Sequence, residues 1–278
     1  MTRTRQLRSL GSVIVAGLLS ASPALAQGGN SQGGNNQGGN SQGGGSACSD
    51  LPSHDALRAA LSTAQNAGNG GFGLEMWASV VNRDGVVCAV AFTGGNRGDQ
   101  WPGSRVISAQ KANTANAFSL PGLALSTANL YSAVQPGGSL FGLQESNPVN
   151  TLVAYGGSPN DYGRPNDPMV GQRLGGVNVF GGGLALYNAN GRLVGAIGVS
   201  GDSSCADQNI AWRTRNTLNL DHVPNAISVS GDSTRPDNIV YDITPQVGQM
   251  PGVSPSGWGH PACNGSVAGI AASLPTIP

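Results

Sequence analysis

Apolar residues recur at helical spacing through Ala56, Leu57, Ala60, Leu61 and Ala64, with Ser53 placed to cap the segment and Gly68 to end it. The pattern then changes from helical to alternating. Leu74 to Val81 reads as a strand, Asn82-Arg83-Asp84-Gly85 as a hairpin turn, and Val86 to Phe92 as the return strand. A glycine-rich loop runs from Thr93 to Gly103. Beyond it, Ser104 is placed to cap a helix of small residues that reaches about Phe118. The order repeats farther along. Leu184 to Tyr187 and Arg192 to Val199 are strands around the turn Asn188-Ala189-Asn190-Gly191, and Ser200 to Ser203 is a loop. Ser204, with Asp207 three residues on, resembles a capping box for a helix to about Leu218. Hairpins make an antiparallel sheet, and helices must cover its apolar faces, so the expected class is α+β.

The rest of the chain lacks such periodicity. Residues 120–176 and 223–278 are rich in Gly, Pro, Asn and Ser, and read as a long insert and a loop-rich C-terminal extension packed on one domain spanning 48–222. Gln27 to Ser46 repeats a five-residue Gly/Asn/Gln/Ser unit with nothing apolar to bury, which predicts a disordered tether about 25 Å from end to end. Arg3, Arg5 and Arg8, the short apolar run Leu10 to Ser20 and the small residues of Ala24-Leu25-Ala26 make residues 1–26 a signal peptide cleaved after Ala26. The expected location is therefore periplasmic or extracellular. No later segment is apolar enough for membrane insertion.

Charge narrows the partners. The chain carries 14 basic and 14 acidic groups; without the three signal arginines the acidic groups are in excess. That balance argues against nucleic acid and against anionic lipid. Four widely spaced cysteines without a C-x-x-C pair argue against zinc and for two disulfides in an exported protein. Three pairings are possible. The favoured one joins Cys205 to Cys263, clipping the C-terminal extension to the last helix, and Cys48 to Cys88.

Lys111 is the only lysine. It lies in Lys111-Ala-Asn-Thr-Ala-Asn-Ala-Phe118, and an ammonium is a compact, rotatable charge that a guanidinium does not replace. This segment, together with Leu193-Val-Gly-Ala-Ile-Gly-Val-Ser-Gly201, the helix start Asp207-Gln-Asn-Ile-Ala211 and the hairpin Val80-Val81-Asn82-Arg83-Asp84-Gly85, resembles the GlcG/HbpS-like family of haem-binding domains. The hairpin carries Asn82 where that family usually has Asp. The resemblance covers about residues 52–220. It implies a PAS/profilin-like fold, an antiparallel sheet flanked by helices, assembly into a homo-oligomer, and haem or a related tetrapyrrole as a non-covalent ligand in a haem-handling or redox-sensing role.

Several residues are candidates for such a ligand. Lys111 reads either as a cation for a propionate or as a packed stem whose ammonium meets backbone carbonyls. Thr114 shares its helix face, and its hydroxyl either stands beside Lys111 or bonds back to the helix. Arg105 and Arg97 flank the helix start and could meet a small anionic ligand. His54 is the choice for an iron ligand, since His222 reads as a cap and His260 as part of a disulfide-clipped tail. Asp202 and Asp207 read as helix-start residues. No clustered carboxylates, metal set or Ser/His/Asp arrangement can be placed, so the catalytic residues are unknown and a binding protein is favoured over an enzyme. A Schiff-base role for Lys111 on a small organic acid is a minor alternative. The broader alternative is a non-enzymatic accessory or interaction module with the same fold and no haem.

Overall fold

The computed structural model describes residues 47–224 and 227–278. The expected signal peptide and tether lie outside the described residues. Helix α1 spans His54–Gln65, strands β1 and β2 span Trp77–Asn82 and Val87–Phe92, and helix α2 spans Ser104–Phe118. After the insert, which carries the short helix α3 (Thr151–Tyr155), come β3 (Gly183–Tyr187), β4 (Leu193–Ser200) and α4 (Ser204–Thr217). The C-terminal extension holds the small hairpin of β5 (Thr244–Gln246) and β6 (Gln249–Val253), then α5 (Val267–Ala272).

The main sheet has the order β2-β1-β4-β3 and is antiparallel throughout. Two hairpins therefore meet along β1 and β4, with Trp77 opposite both Phe92 and Ser200. Both faces are covered, so almost every strand position is buried. On one face Leu57 and Leu61 of α1 and Ile210 and Trp212 of α4 pack on Ala78, Val80, Leu184, Leu186, Ile197 and Val199. On the other, Val106, Ala109, Ala112 and Ala115 of α2 pack on Trp77, Val81, Val90 and Ala196. Alternation in the strands thus sorts side chains between two helical layers rather than between core and water.

The small residues of α2 have a steric reason. A Cβ on Gly198 of β4 would collide with the carbonyl of Ser108 and the amide of Ala112. The helix lies directly on the strand backbone, and Ser79 and Ser108 hydrogen-bond across the contact at 2.8 Å. This close approach fixes where the α2 side chains can reach.

Several expected boundaries move. The first strand begins at Trp77, not Leu74, because the amides of Phe72 and Leu74 donate to the Asp202 carboxylate instead of to a neighbouring strand. The first helix ends at Gln65 with Asn66 as its C-cap. Ser104 is inside α2; Gly103 is its N-cap and no side chain caps it. The capping box at Ser204 and Asp207 does not form. Ser203 caps α4 by accepting from the Ala206 amide, and Asp207 turns inward.

The insert and the extension are anchored by buried pairs. Arg105 of α2 holds Asp167 of the insert in a two-pronged ion pair. Arg215 of α4 holds Asp237 of the extension at 2.6 and 2.9 Å. Disulfides join Cys48 to Cys88 and Cys205 to Cys263, the second linking α4 to the extension. No described helix is long and apolar enough to cross a membrane.

Candidate functional site

Lys111 projects from α2 across the end of β4 toward the start of α4. Its Nζ donates to Asp207 Oδ2 at 2.7 Å and to the Val199 carbonyl at 3.0 Å, and both side chains are buried. Asp207 Oδ1 accepts from the Asp202 amide at 2.9 Å. Burial pushes the Asp207 carboxyl up to about 6, against the opposing pull of the Lys111 charge. Gly182, at φ +120°, packs over the pair, and a Cβ there would lie 3.0 Å from Lys111 Nζ and from Asp207 Cβ. The sole lysine therefore has a companion acid and is enclosed. Of the two readings of Lys111, the geometry matches the packed stem: the ammonium meets an internal carboxylate and a backbone carbonyl, and its stem lies in the core.

Thr114 is also inside. Its hydroxyl donates to Gln110 O at 2.8 Å, back along its own helix, and accepts from the Asn178 amide at 2.9 Å. It ties the chain after the insert to α2 and does not stand free beside Lys111. His54 is only 16 % exposed as a side chain. Its Nδ1 lies 2.9 Å from Asp55 Oδ1 and its Nε2 2.9 Å from Gly163 O, so both ring nitrogens face oxygen atoms of the protein. His222 Nε2 meets Asn219 Oδ1. His260 is buried against Tyr131, with its Nδ1 at 2.8 Å from Pro261 O; burial lowers its pKa to about 4, which keeps it neutral.

Arg105 and Arg97 are the candidate ligand contacts that line a cavity, and Arg105 is the buried one. Besides Asp167, it donates from Nη1 to Ala154 O at 2.7 Å, and its guanidinium lies 3.7 Å from the centre of the Tyr162 ring. Three of its N–H groups are thus given to the insert rather than turned to a ligand. What it does is build a wall. Beside it opens a cleft of about 500 Å³, lined chiefly by Trp77, Pro102, Val106, Tyr155, Pro159 and Tyr162, with Arg97 at its edge. The cleft lies between the glycine-rich loop, the start of α2 and the insert. Its volume falls within the range of about 300–1,000 Å³ usual for small-molecule sites, and an aromatic, apolar lining with a few polar groups is the usual composition.

Two tyrosines in the lining differ in a useful way. Tyr162 is half-buried, and its hydroxyl donates to the carbonyls of Tyr155 and Gly156 at 3.1 and 3.2 Å. Tyr155 is 66 % exposed and its hydroxyl makes no protein hydrogen bond. Haem iron takes His, Cys, Met or Tyr. All four cysteines are in disulfides, Met76 and Met169 are fully buried, and the histidines are engaged as above. Among the described residues lining the cleft, Tyr155 is the iron-ligating type that is free. The residues present therefore fit an apolar ligand that a phenol oxygen can contact. Elsewhere, no three or more His, Cys, Asp or Glu side chains gather as a metal site among the described residues.

The sequence profile of the family described as haem degrading protein HbpS-like matches residues 51–215. The chain belongs to the HbpS-like family. That match contains the whole main sheet, α1, α2 and the insert, and stops within α4. The HbpS-like domain is also similar to solved structures. One is a PduOC:haem complex, at 24 % identity and TM-score 0.44, covering 63 % of this chain and 99 % of that one. Another is Klebsiella pneumoniae protein ORFY, at 25 % identity and TM-score 0.39, covering 60 % and 90 %. A third is a double mutant of Streptomyces reticuli HbpS, at 20 % identity and TM-score 0.35, covering 72 % and 98 %. No curated protein matches the chain.

Residues that escaped the sequence reading are Trp77, Tyr155 and Tyr162 of the cleft and Asp167, which holds Arg105 behind it. Trp77 read only as a strand residue. The other three lie in the insert, where a Tyr-rich, Pro-rich stretch from Tyr155 to Pro168 was the available signal.

Proposed function

We propose that this protein binds haem or a related tetrapyrrole non-covalently in the cleft beside the α2 start, as an exported haem-handling or redox-sensing protein. The single observation that carries the reading is the cleft itself: an aromatic, apolar space of about 500 Å³ with one free phenol, in a domain of the HbpS-like family. Trp77, Pro102, Val106 and Pro159 would hold the apolar plane and exclude water from it. Tyr155 would supply an oxygen to the iron. A bound haem would supply redox chemistry, and the chain's own contribution is binding and orientation. The signal-like N-terminus supports export.

The test is a haem titration of the purified protein, followed in the Soret region. Saturable binding with a shifted Soret band is expected. Tyr155→Phe, which keeps the ring and removes the oxygen, should change the visible spectrum of the ferric complex more than its affinity. Absence of any Soret change at micromolar haem would overturn the reading and favour an accessory module, whose contact surface would then include the exposed Trp101 and Leu152.

A further inference from the structure

The apolar cleft continues into a smaller polar recess. Asn96, Arg97 and Tyr162 line both spaces, and Phe92, Gly95, Asn160 and Arg164 complete the recess. Arg97 comes from the glycine-rich loop and Arg164 from the insert, so two distant segments bring guanidinium groups to one place. Both are exposed. The Arg97 side chain makes no hydrogen bond or ion pair with the protein, and Arg164 uses only its Nε, donating to Asn160 O at 2.8 Å. Other arginines are committed internally: Arg105 to Asp167, Arg215 to Asp237 and Arg83 to Asn116.

Among the described residues neither Arg97 nor Arg164 forms an ion pair with the neighbouring acids. Asp99 Oδ2 accepts the amides of Gly95 and Asn96 at 2.9 and 2.8 Å, which shapes the loop that presents Arg97. Asp167 is held by Arg105 and by the amides of Gly163 and Met169. Asp161, between Asn160 and Tyr162 in the chain, is in no ion pair, so its carboxylate offsets part of the positive charge of the two arginines. An apolar cleft thus adjoins a corner with two exposed arginines, neither in an ion pair, and two amide side chains. Guanidinium groups match carboxylates as two-pronged donors.

We infer that the recess is a carboxylate subsite, so that the cleft selects planar apolar ligands bearing carboxylates along one edge. The inference rests on the haem-binding reading of the cleft. It assigns to Arg97 and Arg164 the anion contact that Arg105 and Lys111, both enclosed, do not make. Because both arginines are solvent-exposed, each contributes modestly, and together they should amount to about a tenfold change in affinity.

The experiment compares two probes, haem and haem dimethyl ester, in which both carboxylates are blocked. The unaltered protein, the double variant Arg97→Gln/Arg164→Gln, and Arg173→Gln as a charge control outside the cleft are titrated with each. The unaltered protein should favour haem. The double variant should lose about tenfold for haem, bind the ester as before, and keep the circular dichroism of the parent; Arg173→Gln should change neither. Equal losses for both probes, or an unchanged haem affinity, would overturn the carboxylate subsite while the cleft reading stands. Failure of the unaltered protein to bind either probe would remove the cleft reading and the subsite together.

Discussion

At the scale of single residues, the Lys111–Asp207 pair decides how the site is understood. A lone lysine in a sequence invites a ligand role, yet here its ammonium is 2.7 Å from a carboxylate and sealed under Gly182. Removing one partner of such a pair leaves an uncompensated charge in the core. Lys111→Met should cost about 3–5 kcal/mol of stability at neutral pH, read from urea unfolding. Lys111→Met/Asp207→Leu should recover much of that loss, because no buried charge remains. The pH dependence follows from the raised Asp207 carboxyl, about 6 in the folded protein against 3.8 for the unperturbed group. A group raised on folding favours the folded state in acid and loses that contribution as pH rises through its folded value. In Lys111→Met the opposing charge is gone, so Asp207 protonates more readily still. The deficit of the variant should therefore be large at pH 7.5 and shrink toward pH 5. An equal deficit at both values would refute this account of the pair.

Among the secondary-structure elements, helices and hairpins were legible because their periodicity is local, and the order helix, hairpin, helix, insert, hairpin, helix holds with boundaries moved by a few residues. The errors came where a distant group decides. Leu74 looked like strand, but its amide is taken by Asp202, far along the chain. Asp207 looked like a helix cap because no sequence pattern shows that Lys111, on another helix, would reach it. The cleft was the least legible part, since the insert supplies one of its walls through Gly, Pro and Asn turns that carry no period. What holds that wall is the contact of Arg105 with Asp167, Ala154 O and the Tyr162 ring. Asp167→Asn would leave the guanidinium without its countercharge. Amides of the insert near Gly163 and Met169, which donate to Asp167, should then exchange with solvent faster, while those of β1 and β4 keep their protection, as measured by hydrogen exchange mass spectrometry. Uniform loss of protection across the domain would instead make the pair part of the global fold.

For the whole molecule, the HbpS-like match ends at residue 215, and the chain beyond it is fastened to α4 at several points. Arg215 pairs with Asp237, Trp212 Nε1 donates to Pro275 O at 2.9 Å, and Cys205 is bonded to Cys263. These fasteners differ in kind. The ion pair and the indole contact act in the folded state, whereas the disulfide, across a sequence separation of 58, acts mainly by restricting the unfolded chain. The chain-entropy relation assigns it about 4 kcal/mol, which for a domain of this size corresponds to about 10 °C in Tm. Cys205→Ser/Cys263→Ser should lower Tm by that order and leave the native far-UV spectrum unchanged at room temperature, because the non-covalent fasteners still hold the extension. Arg215→Met should act the other way round, releasing the extension by stranding Asp237 in the interior while the disulfide stays intact. Limited proteolysis separates the two: enhanced cleavage between residues 227 and 262 is expected in Arg215→Met and not in the cysteine variant. Cleavage of the cysteine variant at the same rate as Arg215→Met would show that the covalent link, and not the buried pair, positions the extension.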